Sequence, residues 1–240
     1  MWINYQIEEM KLAIMQPYAF PYIGYFQLIN ATDKFVILDD VNFIMRGWIN
    51  RNRILVNGKE NLFSIPLKKI SQNKLICDCE LVEGNWKVKF LKTIEVSYKK
   101  APFFKQCFEI ISSILLSEEL NLSKWLVFQI NTICDYLEIN TKIVESSRVY
   151  SNQHLKAQYK IIDICKRENA RTYYNAIGGK LLYRISDFKN NNIELRFLNT
   201  LPGKYPQFNN EFIPFLSIID VMMFNNKNEI QNLLNKFVLI

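Results

Sequence analysis

Between Gln16 and Tyr25 the chain reads Gln16-Pro17-Tyr18-Ala19-Phe20-Pro21-Tyr22-Ile23-Gly24-Tyr25. One amide, two prolines, a glycine and four aromatic rings directly follow an apolar run that starts at Leu12. A plain core strand has no use for this set, but a shaped loop at the end of a strand does. Proline removes a backbone donor and fixes φ, and glycine admits a close neighbour. The Gln16 amide can both donate to and accept from a hydroxyl or carbonyl. Tyr18, Tyr22 and Tyr25 offer faces for a sugar or a base. Core packing is the competing role for each ring.

A second cluster runs from Asp39-Asp40 to Trp48-Ile49-Asn50-Arg51-Asn52-Arg53. In an extended segment Asn50 and Asn52 share one face, Arg51 and Arg53 the other. A guanidinium presents a fixed fork to a diphosphate or carboxylate. Adjacent aspartates point apart, so one of Asp39 and Asp40 enters a site. It would orient a polar substrate group, take a proton or order the arginines. A salt bridge to Arg51 or Arg53 is the structural alternative. Trp48, with Phe43 and Met45, reads as a pocket wall or a dimer contact.

Further on, Tyr205-Pro206-Gln207 is a loop whose proline aims its neighbours. Ser217 and Asp220 lie three apart on one helix face. Asp220 sits among apolar residues and needs a partner; an arginine of 51–53 is the expected one. His154 is the sole histidine, so any imidazole general base must be this residue.

Composition narrows the classes. The 240 residues are 49% hydrophobic, enough for one sizeable core. The net charge of +7 comes from scattered residues, unlike the basic block of a nucleic-acid-binding arm. It suits an anionic small molecule or an acidic protein partner. The cysteines number five, an odd count without zinc-ligand spacing, which predicts reduced thiols in a cytoplasmic protein and no metal site. No apolar run is long enough to span a bilayer. Residues 1–10 read as a loose leader rather than a signal peptide, with Met10 an alternative start.

The expected elements are a strand at 11–16, a helix from Tyr25, a strand at 34–39 and a hairpin about Asn57-Gly58. Strands follow at 75–82, 141–145, 171–175 and 192–198. Helices are expected at 88–98, 103–116, 122–137 (capped by Ser123), 158–169, 180–188, 214–224 and 227–234. This alternation predicts one α/β domain over 11–240, a Rossmann-like sheet with helical insertions and a helix-rich middle at about 86–140. Both polar clusters then gather at the C-terminal ends of strands, where α/β sheets bind ligands. Nucleotidyltransferases of the HxGH class carry two histidines where this chain has Tyr22-Ile23-Gly24-Tyr25, so adenylyl transfer is not expected.

The blocks Gln16-Pro17, Pro21-Tyr22-Ile23-Gly24-Tyr25-Phe26, Asp39-Asp40-Val41 with Phe43, Trp48, Asn50-Arg51-Asn52-Arg53-Ile54, Tyr98 with Ala101-Pro102, Tyr205-Pro206-Gln207 and Phe215–Asp220 together resemble the WbqC-like family. The Asn226-Lys227 pair departs from it, since members often place glycine there. The resemblance implies acyl or aminoacyl transfer to an amino sugar in O-antigen or related polysaccharide synthesis. The acceptor would be nucleotide-linked. The donor would be a thioester on coenzyme A or an acyl carrier protein, with no tightly bound cofactor. Asp40 or His154 would take the amine's proton, and Asn50 or backbone N–H groups would face the oxyanion. A non-catalytic sugar-nucleotide binder and a nucleotidyltransferase-like enzyme on a related scaffold are the alternatives.

Overall fold

A computed structural model describes residues 9–201 and 203–240. The expected leader falls mainly on residues 1–8, outside the described residues. Met10 is tied to the body, its carbonyl accepting from Arg171 N at 3.2 Å.

The chain opens with β1 (Lys11–Met15), α1 (Ile23–Asn30) and β2 (Lys34–Ile37). Next comes a hairpin of β3 (Arg51–Val56) and β4 (Lys59–Ser64). Its turn residues Asn57 and Gly58 have φ of 49° and 75°, the two left-handed positions a type I′ turn needs. A short antiparallel pair, β5 (Leu67–Lys68) and β6 (Glu80–Leu81), leads into α2 (Trp86–Tyr98), α3 (Phe104–Leu115) and α4 (Leu122–Tyr136). Then follow β7 (Lys142–Val144), α5 (Ala157–Arg167), β8 (Thr172–Ala176), α6 (Ile185–Lys189) and β9 (Glu194–Thr200). The chain finishes with α7 (Ile218–Phe224), α8 (Lys227–Leu234) and β10 (Phe237–Leu239). None of the described helices is long and apolar enough to cross a membrane.

Six strands form the main sheet in the order β10-β9-β8-β1-β2-β7. All neighbours are parallel except β10, which runs antiparallel along β9. The fold is thus mixed α/β, with a mostly parallel sheet. Side chains alternate between its faces. Ala13, Phe35 and Ile37 enter one core with α1, the three middle helices, α7 and α8. Leu12, Ile14 and Val36 enter the other, with α5 and α6. Cover on both faces explains why β1 and β2 read as near-continuous apolar runs.

Several expected elements are corrected. Over 75–82 only β6 is strand; residues 76–78 form a 3-10 turn. There Ile76 N and Cys77 N bond the carbonyls of Val41 and Asp39, so the segment follows the loop after β2. The helix expected at 180–188 divides into a 3-10 turn at 177–181 and the short α6. Helix α7 starts at Ile218, because Phe215 is left-handed with φ 59° and Ser217 Oγ caps by accepting from Ile219 N. Helix α4 is capped by Asn121, which accepts from Lys124 N, while Ser123 turns to Asp39. Asn226 forms a capping box with Glu229 at the start of α8, a physical use for the residue that departs from the family pattern. Strand β10 was not anticipated.

Candidate functional site

Chain order in the parallel sheet reverses at β1: β2 and β7 lie to one side, β8 and β9 to the other. In open α/β sheets, ligands bind outside the C-terminal ends of strands at such a reversal. Here that edge carries two clefts.

The first, about 300 Å3, lies over β1, β8 and β9. Tyr18, Tyr22, Trp48 and Phe215 give it aromatic walls, and Asn52, Arg53, Asn199 and Thr200 supply polar groups. Ile177 lines it from the end of β8. The Tyr18 loop is held from three directions. Gln129 of α4, fully buried, accepts from Phe20 N at 2.8 Å and donates to Tyr18 O at 3.2 Å. Asn52 Nδ2 donates to Phe20 O at 2.7 Å, and Ser217 Oγ donates to the same carbonyl at 2.8 Å. These contacts hold Phe20 at φ 43°, a left-handed conformation unusual for an aromatic residue. At Gly24 the backbone approach is so close that a Cβ would lie 2.3 Å from Thr200 Oγ1.

Arg53 spans the cleft wall. Its guanidinium lies 5.4 Å from the Trp48 ring centroid, and Nη1 bonds Glu60 at 2.7 Å. Its buried Nε has no hydrogen-bond partner among the described residues. Tyr22 and Phe215 meet edge to face at 6.1 Å. Burial, with Tyr22 and Tyr183 nearby, pushes the Tyr18 phenol up to about 12, so it is protonated near neutrality. Among the described residues the walls carry stacking faces, one cation and several amides or hydroxyls, but no carboxylate or imidazole. Such a surface binds a ring and an anionic group.

The second cleft, about 530 Å3, lies beyond β2 and β7. Asp39 is on its floor, its oxygens accepting from Ser123 Oγ and Ser146 Oγ, both at 2.7 Å, and from Ser147 N at 3.1 Å. Asp40 turns away, as neighbours on an extended chain do, and pairs with Lys160 of α5 at 2.7 Å. Its other oxygen accepts from Ser147 Oγ. The expected pairing of an aspartate with Arg51 or Arg53 is thus replaced by one with Lys160.

The remaining candidates disperse. Gln16 is half-buried beside β1, outside the aromatic cleft. Tyr25 packs in the core against Phe26 and Phe35. Asn50 Nδ2 donates to Ile65 O at 2.8 Å, and Arg51 Nε to Gly47 O at 2.7 Å. His154 is exposed ahead of α5 and lines neither cleft. Tyr205 Oη and Gln207 Nε2 both donate to Asp220 Oδ1, at 2.8 and 2.7 Å. Tyr98 Oη donates to Asp220 Oδ2 at 2.9 Å and accepts from Leu55 N at 2.7 Å. So Asp220 is paired, as expected, but by three neutral donors instead of an arginine, and Tyr98 makes the tie to β3. Burial raises the Asp220 carboxyl, opposed by those three hydrogen bonds. All five cysteines are buried and unbridged. Burial pushes the thiols of Cys77, Cys107 and Cys134 up to about 12, which leaves no reactive thiolate there.

Sequence reasoning missed Gln129, Lys160, Ile177, Asn199 and Thr200, and it quoted Phe215 only within the block 215–220, not as a site residue. For the first two a signal existed: Gln129 interrupts the apolar face Leu126–Ile130, and Lys160 directly precedes Ile161-Ile162. A polar residue on a buried stripe must have a partner.

The chain is 28% identical over 215 residues to the uncharacterized protein Rv1507c of Mycobacterium tuberculosis, covering 88% of this chain and 92% of that protein. No solved structure matches. The family model described as "WbqC-like protein family" matches residues 16–232, a span that includes every wall of the aromatic cleft, and the chain belongs to that family.

Proposed function

We propose that this protein is an N-acyltransferase or aminoacyltransferase whose acceptor is a nucleotide-linked amino sugar, in the synthesis of O-antigen or a related surface polysaccharide. The observation that carries the reading is the aromatic cleft with Arg53 over Trp48 at the sheet reversal. Aromatic walls suit a base or sugar face, and a guanidinium suits a diphosphate. The strand order supports a Rossmann-like reading of the sheet. Numbered in chain order, the five parallel strands lie 3-2-1-4-5, the sequence of a doubly wound nucleotide-binding sheet.

In this reading the sugar amine attacks the carbonyl carbon of an acyl thioester. The C–N bond forms, the C–S bond breaks, and the departing thiolate takes the amine's proton. No protein base is then required, which matches a cleft without carboxylate or imidazole. Asp40, with both oxygens engaged, and the exposed His154 have no part in it. Asn199 and backbone N–H groups would face the oxyanion in place of Asn50, whose amide is engaged. The donor is coenzyme A or an acyl carrier protein, the latter favoured by the net charge of +7.

The lack of a base also favours a second reading, a sugar-nucleotide binder without turnover. One experiment separates the two. Calorimetry against nucleotide-linked amino sugars and their hydroxyl counterparts should show selective binding, weakened at least tenfold in Arg53→Ala and Trp48→Ala. Incubating the bound sugar with acyl thioesters should then add the acyl mass to it. Binding without any mass gain gives the second reading; no binding of any sugar nucleotide removes both.

A further inference from the structure

Leu181 and Leu182 project from the 3-10 turn after β8, 97% and 72% exposed. Ile185 at 57% and Tyr159 at 61% extend this apolar surface. Tyr159, Leu181, Leu182 and Arg184 border one shallow depression of about 330 Å3. Single exposed leucines are ordinary, whereas a contiguous group marks a contact surface.

The exposure does not come from slack chain. Asn175 Nδ2 donates to Tyr173 Oη at 2.6 Å and Tyr183 Oη at 3.3 Å. The Tyr183 ring meets Tyr173 and Phe188 edge to face at 6.1 and 5.6 Å. Arg184 N donates to Gln158 Oε1 at 2.9 Å. Gly179 lies so near Asn175 that a Cβ would stand 2.6 Å from its Oδ1. The turn is fixed from beneath: the tyrosine goes in and both leucines go out.

Cations flank the tip: Lys180 and Arg184 on its own segment, and Lys156 just before the start of α5, whose first residues border the depression. Lys156, Lys180 and Arg184 are exposed, and none of them is in a salt bridge among the described residues. An apolar tip flanked by cations complements a surface that is anionic at its skin and apolar beneath. We propose that segment 177–185 docks the protein on an anionic lipid bilayer, with Leu181 and Leu182 entering the acyl boundary and Lys180 and Arg184 against the headgroup phosphates. A second copy of the chain fits less well, because a two-fold contact would set these cations against their own counterparts. Ile177, at the root of the turn, lines the aromatic cleft, so docking holds that cleft near the membrane. This inference does not depend on what the cleft binds.

The test is co-sedimentation of the whole protein with vesicles of phosphatidylcholine alone and of phosphatidylcholine mixed with phosphatidylglycerol. Binding to the mixed vesicles only is expected, weakening as salt rises, since each near-surface cation contributes about fivefold to partitioning. Leu181→Asp/Leu182→Asp should retain the wild-type melting temperature and circular dichroism and bind about tenfold or more weakly. Lys180→Glu/Arg184→Glu should lose binding while remaining folded. Absence of binding to the mixed vesicles, or equal binding by the leucine variant, overturns the proposal. So does a dimer in light scattering that the leucine variant dissociates, because the surface would then belong to a second copy.

Discussion

At the scale of the residue, two buried carboxylates show how differently one charge is accommodated. Asp40 has a full counter-charge in Lys160, whose side chain is only 4% exposed. Removing one partner leaves the other charged in a dry setting, so Lys160→Ala should cost about 3–5 kcal/mol. Asp40→Asn/Lys160→Met should cost clearly less, and urea unfolding of both variants measures the difference. Asp220 has no cation, only Tyr98, Tyr205 and Gln207. Its carboxyl is raised above the ordinary 3.8, so the folded state holds the proton more tightly than the unfolded chain does. Stability from this group is present at low pH and is lost as pH rises through the raised value. Melting temperatures of wild type minus those of Asp220→Asn, taken across pH, should therefore decline from about pH 4 upward. A flat difference would show that Asp220 does not titrate in that range.

At the scale of the element, the loop after β1 acts as a joint between layers. Gly24 at the start of α1 is where Thr200 at the end of β9 comes closest. Helix propensity alone favours alanine there. The close approach reverses the sign, and Gly24→Ala should destabilise by about 1–3 kcal/mol in thermal unfolding and weaken ligand binding in the aromatic cleft as its wall shifts. This joint also marks what the sequence discloses. Tyr18, Tyr22, Trp48, Asn52 and Arg53 were legible as cleft residues, because their types and spacing are local. Asn57-Gly58 announced its hairpin for the same reason. Ile177, Asn199, Thr200 and Phe215 were not legible, because the sheet order brings them together from distant segments. Strand β10 follows α8 after only two residues and becomes a strand by pairing with β9, a tertiary contact that no local period signals. Asp39 and Asp40 were legible as a pair that points apart, with one of them entering a site; the partner that holds the other, Lys160, was not, because it lies 120 residues away in sequence.

At the scale of the whole molecule, the walls of the aromatic cleft come from segments between Tyr18 and Phe215. A ligand there ties the two ends of the chain together and should stabilise the fold as a unit. At one hundred times its dissociation constant, a sugar nucleotide adds about 2.7 kcal/mol, which raises the melting temperature by roughly 5–10 °C for a chain of this size. Thermal shift measurements reporting no change at that excess would place the ligand elsewhere. The bond from Ser217 to the Phe20 carbonyl, 197 residues apart, also has a meaning in time. A ribosome adding about 5–20 residues per second takes roughly 10–40 s to travel that far. For that interval the aromatic N-terminal loop exists without its latch, and during synthesis the cleft is among the last features to become complete.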